Sequence, residues 1–149
     1  MTLKLTRGRL RNTTDIPTAM IREVLAFVRP SGIKGFDVRV GGCRGQVKGR
    51  AYWDGSAYHD TARPFVNLYV GADSMFPVPP RQRTRAGYLP TPYLTSRIEA
   101  LVYIAAHELR HLWQALVPRG RRVWGSRGQF SERDADAYAI RMLRAWRQR

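Results

Sequence analysis

Apolar residues recur along the chain with two periods, and each period predicts a different element. Residues 2–6 alternate polar and apolar, as a short strand does. Thr14-Asp15-Ile16-Pro17 then reads as a helix entry, a capping side chain followed by proline in the first turn. Ile16, Met20, Val24, Phe27 and Val28 form an apolar stripe at helical spacing, and Arg29-Pro30-Ser31-Gly32 ends it. The period then drops to two. Phe36, Val38 and Val40 alternate with Asp37 and Arg39. Val47, Ala51 and Trp53 share a face opposite Gln46, Lys48, Arg50 and Tyr52, with Asp54-Gly55 as a turn pair. In the segment from Phe65 to Val70, Val66, Leu68 and Val70 lie on one face, and Phe65, Asn67 and Tyr69 on the other. Strands joined by turn-length connections imply a small, mainly antiparallel sheet.

Residues 71–95 break the pattern. They carry Pro77, Pro79, Pro80, Pro90 and Pro92, and read as a long loop of the kind that is often functional. Ser96-Arg97-Ile98-Glu99 matches the capping box and opens a strongly periodic helix. Leu101, Val102, Ala105, Leu109, Leu112, Trp113 and Leu116 form its broad apolar face, and Pro118 and Gly120 close it. An Arg/Gly-rich connection runs to Gly128. Ser131 then caps a last helix that has Glu132, Asp134 and Asp136 near its start. Arg141, Arg144, Arg147 and Arg149 follow towards its end, the charge order the helix dipole favours.

The 149 residues fit one domain, and an apolar content of 44% is enough for a core, which excludes wholesale disorder. The longest apolar run, Ala100 to Ala106, is far too short to span a bilayer. The start has no apolar signal region, and the lone cysteine, Cys43, permits no intrachain disulfide. Both features fit a cytoplasmic protein with no membrane partner. Charge changes the picture more. Lys and Arg number 26 against 11 Asp and Glu, a net +15. Only Lys4, Lys34 and Lys48 are lysines. Such a balance suits an anionic partner, nucleic acid or an acidic protein, as well as a solvated basic shell.

The candidate chemistry lies on the long helix, in His107-Glu108-Leu109-Arg110-His111. Residues four apart share a helical face, so both imidazoles can address one metal ion. Glu108, turned by about 100° from His107, can stand beside the metal and take a proton from bound water. A catalytic zinc takes three protein ligands plus water. His59, in a turn-like segment, reads as an exposed loop residue, and Cys43 as a small buried or loop thiol. Glu132 is the better third ligand. Asp136, four residues on along the same face, can hold the far nitrogen of a ligand histidine.

His107-Glu108-x-x-His111 followed by Glu132-x-x-Ala135-Asp136 resembles the gluzincin branch of zinc metallopeptidases. It is similar to the minigluzincins and to small phage and bacterial metallopeptidases with an E-x-x-A-D second motif. The resemblance covers roughly residues 96–147; the preceding helix and sheet match only in order and type. It implies an α+β, zincin-like single domain over 1–149, with an N-terminal helix, a small sheet, an active-site helix and a glutamate-ligand helix. It implies one zinc ion held by His107, His111 and Glu132, Glu108 as general base, and Asp136 supporting a histidine. It also implies a peptide or protein substrate lying extended along an edge strand, for which Phe65–Val70 is the candidate. The metzincin extension and any downstream histidine are absent. Arg110 is expected to face solvent or an anion. Tyr138, Tyr103, Tyr69, Tyr88 and Tyr93 are all candidates for steadying an oxyanion.

Two rival readings follow from the same residues. Arg119, Arg121, Arg122 and Arg127, with Trp124 among them, form a basic stretch that suits a nucleic-acid-binding protein whose zinc is structural or vestigial. An inactive metallopeptidase-like fold used for protein interaction is the other.

Overall fold

A computed structural model describes residues 8–42, 47–53, 63–81, 89–117 and 130–149. The expected strand at 2–6, His59, Cys43, Tyr88 and the basic stretch from Arg119 to Arg127 lie outside those residues.

The described chain is a small α+β structure. Strand β1 (Leu10–Asn12) leads to helix α1 (Thr18–Val28), then to strands β2 (Asp37–Gly42), β3 (Lys48–Tyr52) and β4 (Phe65–Val70). Helices α2 (Arg97–Leu116) and α3 (Glu132–Arg147) follow. The sheet order is β1-β2-β4-β3. β1 and β2 pair in parallel, as do β2 and β4, and only β3 runs antiparallel, along β4. The sheet is therefore mixed, not mainly antiparallel. α1 lies between β1 and β2 in the chain, and a helix-length crossover returns the strand in the same direction. β3 is placed outside β4 instead of beside its sequence neighbour β2. Phe65–Val70, expected at the edge, is thus paired on both sides, and the edge strand is Lys48–Tyr52.

Alternation sets the two faces of the sheet. Val38, Val40, Val66, Leu68 and Val70 are buried and join Ile21, Val24, Leu25 and Val28 of α1 and the apolar face of α2 in one core. α2 is the central helix: it packs on β3 and β4 and touches both other helices. Its stretch from Ala100 to Leu109 is buried throughout.

Three helix ends show how local chemistry sets boundaries. Ser96 caps α2 through its hydroxyl, which accepts from the Glu99 N–H, and Glu99 reaches back to the Thr95 N–H. Ser131 caps α3 by accepting from the Asp134 N–H. α1 departs from expectation. It starts after Pro17 with no side-chain cap. Thr14 instead closes a turn on the Ile16 N–H, and Asp15 pairs with Arg97.

The proline-rich excursion is ordered where described. It holds a 3-10 turn, Asp73–Met75, and folds back on itself through bridges from Val78 to Leu94 and from Arg81 to Thr91. Among the described residues no helix is long and apolar enough to cross a membrane.

Candidate metal centre

α2 carries His107, Glu108 and His111 at its buried centre, and α3 packs alongside with Glu132 in its first turn. Helical geometry places the two histidines one turn apart on the side facing α3. His107 Nε2 and His111 Nε2 approach to 3.1 Å. Glu132 spans them, with Oε2 3.1 Å from His107 and Oε1 3.2 Å from His111. One ligand atom from each of the three residues falls within a cluster 4.8 Å across, a spacing that could hold a metal ion.

The far sides of the rings are set as a metal site requires. His111 Nδ1 lies 2.9 Å from Gln114 Oε1. That oxygen also accepts from the Ser131 N–H, while Gln114 Nε2 donates to the Ser131 carbonyl and to Asp134 Oδ2. These partners fix which way the amide points, so Oε1 is the acceptor and His111 Nδ1 carries the proton. The Nε2 lone pair is left facing the cluster. Asp136 is fully buried, and its Oδ1 lies 2.9 Å from His107 Nδ1. It sits off the ideal N–H direction, so that nitrogen has no well-aligned acceptor. Asp136 is itself held by Tyr103 Oη at 3.4 Å and by the Leu89 N–H at 3.0 Å.

Electrostatics match this arrangement. Burial alone would lower the His107 pKa, but Asp136 and Glu132 outweigh it and raise it to about 9. Burial would raise Glu132, yet its bonds to both histidines hold it well below the usual carboxylate range. Burial pushes Glu108 up, against the pull of the two histidines. Its Oε1 stands 3.9 Å from His107 Nε2, and Glu108 lies outside the three-residue cluster. It is near enough to act on a molecule held there, and its raised pKa suits a base that must accept a proton.

The structure brings together all five residues that the motifs single out. The tyrosines are less concentrated. Tyr138 donates to the Val28 carbonyl, Tyr103 faces Asp136, and Tyr69 stands on the other side of the sheet with Lys48 5.5 Å from its ring. The exposed Tyr93 offers its carbonyl to Arg147. Arg110 does not face a free anion: it makes a two-pronged bond to Asp134, at 2.7 and 3.2 Å, and lies 3.7 Å over the Trp113 ring.

Two contributors escaped the sequence reading. Gln114 is one, a buried amide exactly three residues past His111 and seven past His107, hence on the ligand face; its polarity on an apolar face was the available signal. Phe130 is the other. It stacks on His111 with ring centroids 4.4 Å apart and planes within 8°, and nothing in its spacing marks it.

Comparison with protein-family models, curated proteins and solved structures finds no match.

Proposed function

We propose that the protein is a zinc-dependent peptide hydrolase of the gluzincin type, with a zincin-like fold and a minigluzincin-like scale. The observation that supports this reading is the convergence of His107, His111 and Glu132 on one point, with Glu108 beside it and Asp136 behind. Two imidazoles and one carboxylate are the donor set of a catalytic zinc that keeps a position open for water. When bound, zinc supplies a Lewis acid that lowers the pKa of water and polarises a carbonyl.

The chain's own groups do the rest. Glu108 Oε1 takes the proton of the attacking water and passes it to the leaving amine. Gln114 orients the His111 ring through Nδ1, and Asp136 stands 2.9 Å behind His107 Nδ1, with the Nε2 atoms of both rings inward. β3 is the edge strand beside this site: a Cβ built on Gly49 would lie 2.6 Å from Glu108 Cγ. Among the described residues no strand pairs along its outer edge, which on this reading offers backbone groups to an extended peptide.

Elemental mass spectrometry of untagged, desalted protein tests the metal, with about one zinc per chain expected. A peptide-library digest tests the activity. Glu108→Gln should keep the zinc and lose about 10²–10⁴-fold in turnover. A folded chain that takes up no zinc, or a Glu108→Gln variant as active as the native protein, overturns the reading.

A further inference from the structure

The sheet has a second face that the metal site does not use. Among the described residues, the helices pack onto the side of the sheet that carries Val66, Leu68 and Gly49. The strand register shows what stands on the other side. Arg11, Arg39, Asn67 and Arg50 are paired in one row across all four strands. Gly41, Tyr69 and Lys48 form part of the next row, and Asp37, Phe65 and Tyr52 part of the row on its other flank. Arg11, Arg39, Lys48 and Arg50 are all exposed. At strand spacing the row from Arg11 to Arg50 spans about 14 Å, with Lys48 in the row beside it. Asp37 is the only acid in these rows among the described residues. It is buried, where the Arg9 N–H donates to it at 2.8 Å, whereas the four cations are exposed.

Aromatic rings stand among the cations. Tyr52 stacks on Phe65 with centroids 4.3 Å apart, and Arg50 lies 5.8 Å from the Tyr52 ring centre. Tyr69 has Lys48 at 5.5 Å on one side. On its other side the ring lies against its in-register neighbour Gly41, where a Cβ would stand 3.7 Å from Tyr69 Cδ1 and Cε1. A surface for an acidic protein needs the cations alone. Phosphates meeting cations while a base stacks on the half-buried Tyr69 use both components, and a single strand has bases free to stack.

We infer that the exposed basic row on this face of the sheet, built on Arg11, Arg39, Arg50 and Lys48 with Tyr69 beside them, binds single-stranded nucleic acid. The site is separate from the metal cluster, so it stands whether or not the chain cleaves peptides.

The test is fluorescence anisotropy of the full-length protein with labelled oligothymidylate of about 20 nucleotides. Salt is varied between about 50 and 200 mM. Four or five phosphate contacts to a single strand give a slope of log affinity against log salt of about −3. Arg11→Gln with Arg39→Gln should flatten that slope by about 1.4 and weaken binding at least about tenfold at the lower salt. Arg22→Gln with Arg144→Gln removes the same charge from the helices and should change affinity far less. Tyr69→Leu should weaken binding about fivefold or more with the slope unchanged. Equal losses in the two arginine pairs would make net charge the cause and overturn the site. Duplex bound as tightly as single strand would overturn the role of the rings. Displacement by polyglutamate at matched charge would identify an acidic protein as the occupant and overturn the nucleic-acid assignment.

Discussion

Gln114 shows what one side chain can organise. Its amide makes four contacts in two directions: with His111 on its own helix, and with Ser131 and Asp134 at the start of α3. It therefore sets the His111 tautomer and places the first turn that carries Glu132, two requirements of the same metal site. The Arg110–Asp134 pair extends this network outward. Asp134 takes bonds from Arg110, from Gln114 and from neither histidine, so its part is to brace the amide. Gln114→Ala should leave the His111 Nδ1–H and the Ser131 N–H without their acceptor. The expected cost is about 1–3 kcal/mol in stability and about 10–100-fold in metal affinity. Chelator competition reads the affinity and urea unfolding the stability. A loss in stability with metal affinity untouched would make Gln114 a packing residue only.

At the scale of elements, the site is an agreement between three of them. α2 supplies the histidines and Glu108, α3 supplies Glu132, and β3 is the wall over Glu108. The approach of β3 to α2 requires a residue with no side chain at position 49. A Cβ there would meet Glu108 Cγ at 2.6 Å, Ile104 Cγ1 at 3.0 Å and the Asn67 carbonyl at 3.2 Å. Gly49→Ala should shift Glu108 or lift the strand, at about 1–3 kcal/mol in overpacking. On the proposed hydrolase reading the metal-holding residues lie on α2 and α3, so zinc affinity should hold while turnover falls. Equal metal binding and equal turnover in Gly49→Ala would mean that the strand adapts and does not position the base.

Over the whole molecule, charge ties distant parts of the chain. Arg147, near the end of α3, bonds the Glu99 carboxylate at the start of α2 and the Tyr93 carbonyl. Arg97 joins Asp15 and Asp73, and Arg149 joins Glu23 on α1. In a chain of net +15, these pairs use scarce acids. The Arg147 bond is the first cause that holds Glu99 near pKa 2, against an ordinary 4.5. A depressed carboxyl stabilises the fold above its unfolded pKa and loses that contribution as pH falls through its folded one. Glu99→Gln should thus lower stability at neutral pH by about 1 kcal/mol or less, since the pair is partly solvated. The gap to the native protein should narrow below pH 4.5 and close near pH 2. Urea midpoints across that range measure it, and a gap independent of pH would exclude the linkage.

Sequence alone determined the features that are local. The apolar periods of α1, α2 and the strands, the Ser96 and Ser131 caps and the i, i+4 pairs His107/His111 and Glu132/Asp136 all follow from residues within one or two turns of each other. For that reason most of the candidate site was legible, since two helices carry it and helical spacing dictates which side chains share a face. Tertiary structure decided everything that depends on neighbours. Alternation tells which face of a strand is buried but not which strand lies beside it, so the mixed order and the edge position of Lys48–Tyr52 could not be read from the chain. The same holds for Arg110 bonding Asp134, for Phe130 stacking on His111, and for Arg11, Arg39 and Arg50 lining up in a row. Each joins residues far apart in sequence, and such contacts are set by how the elements pack.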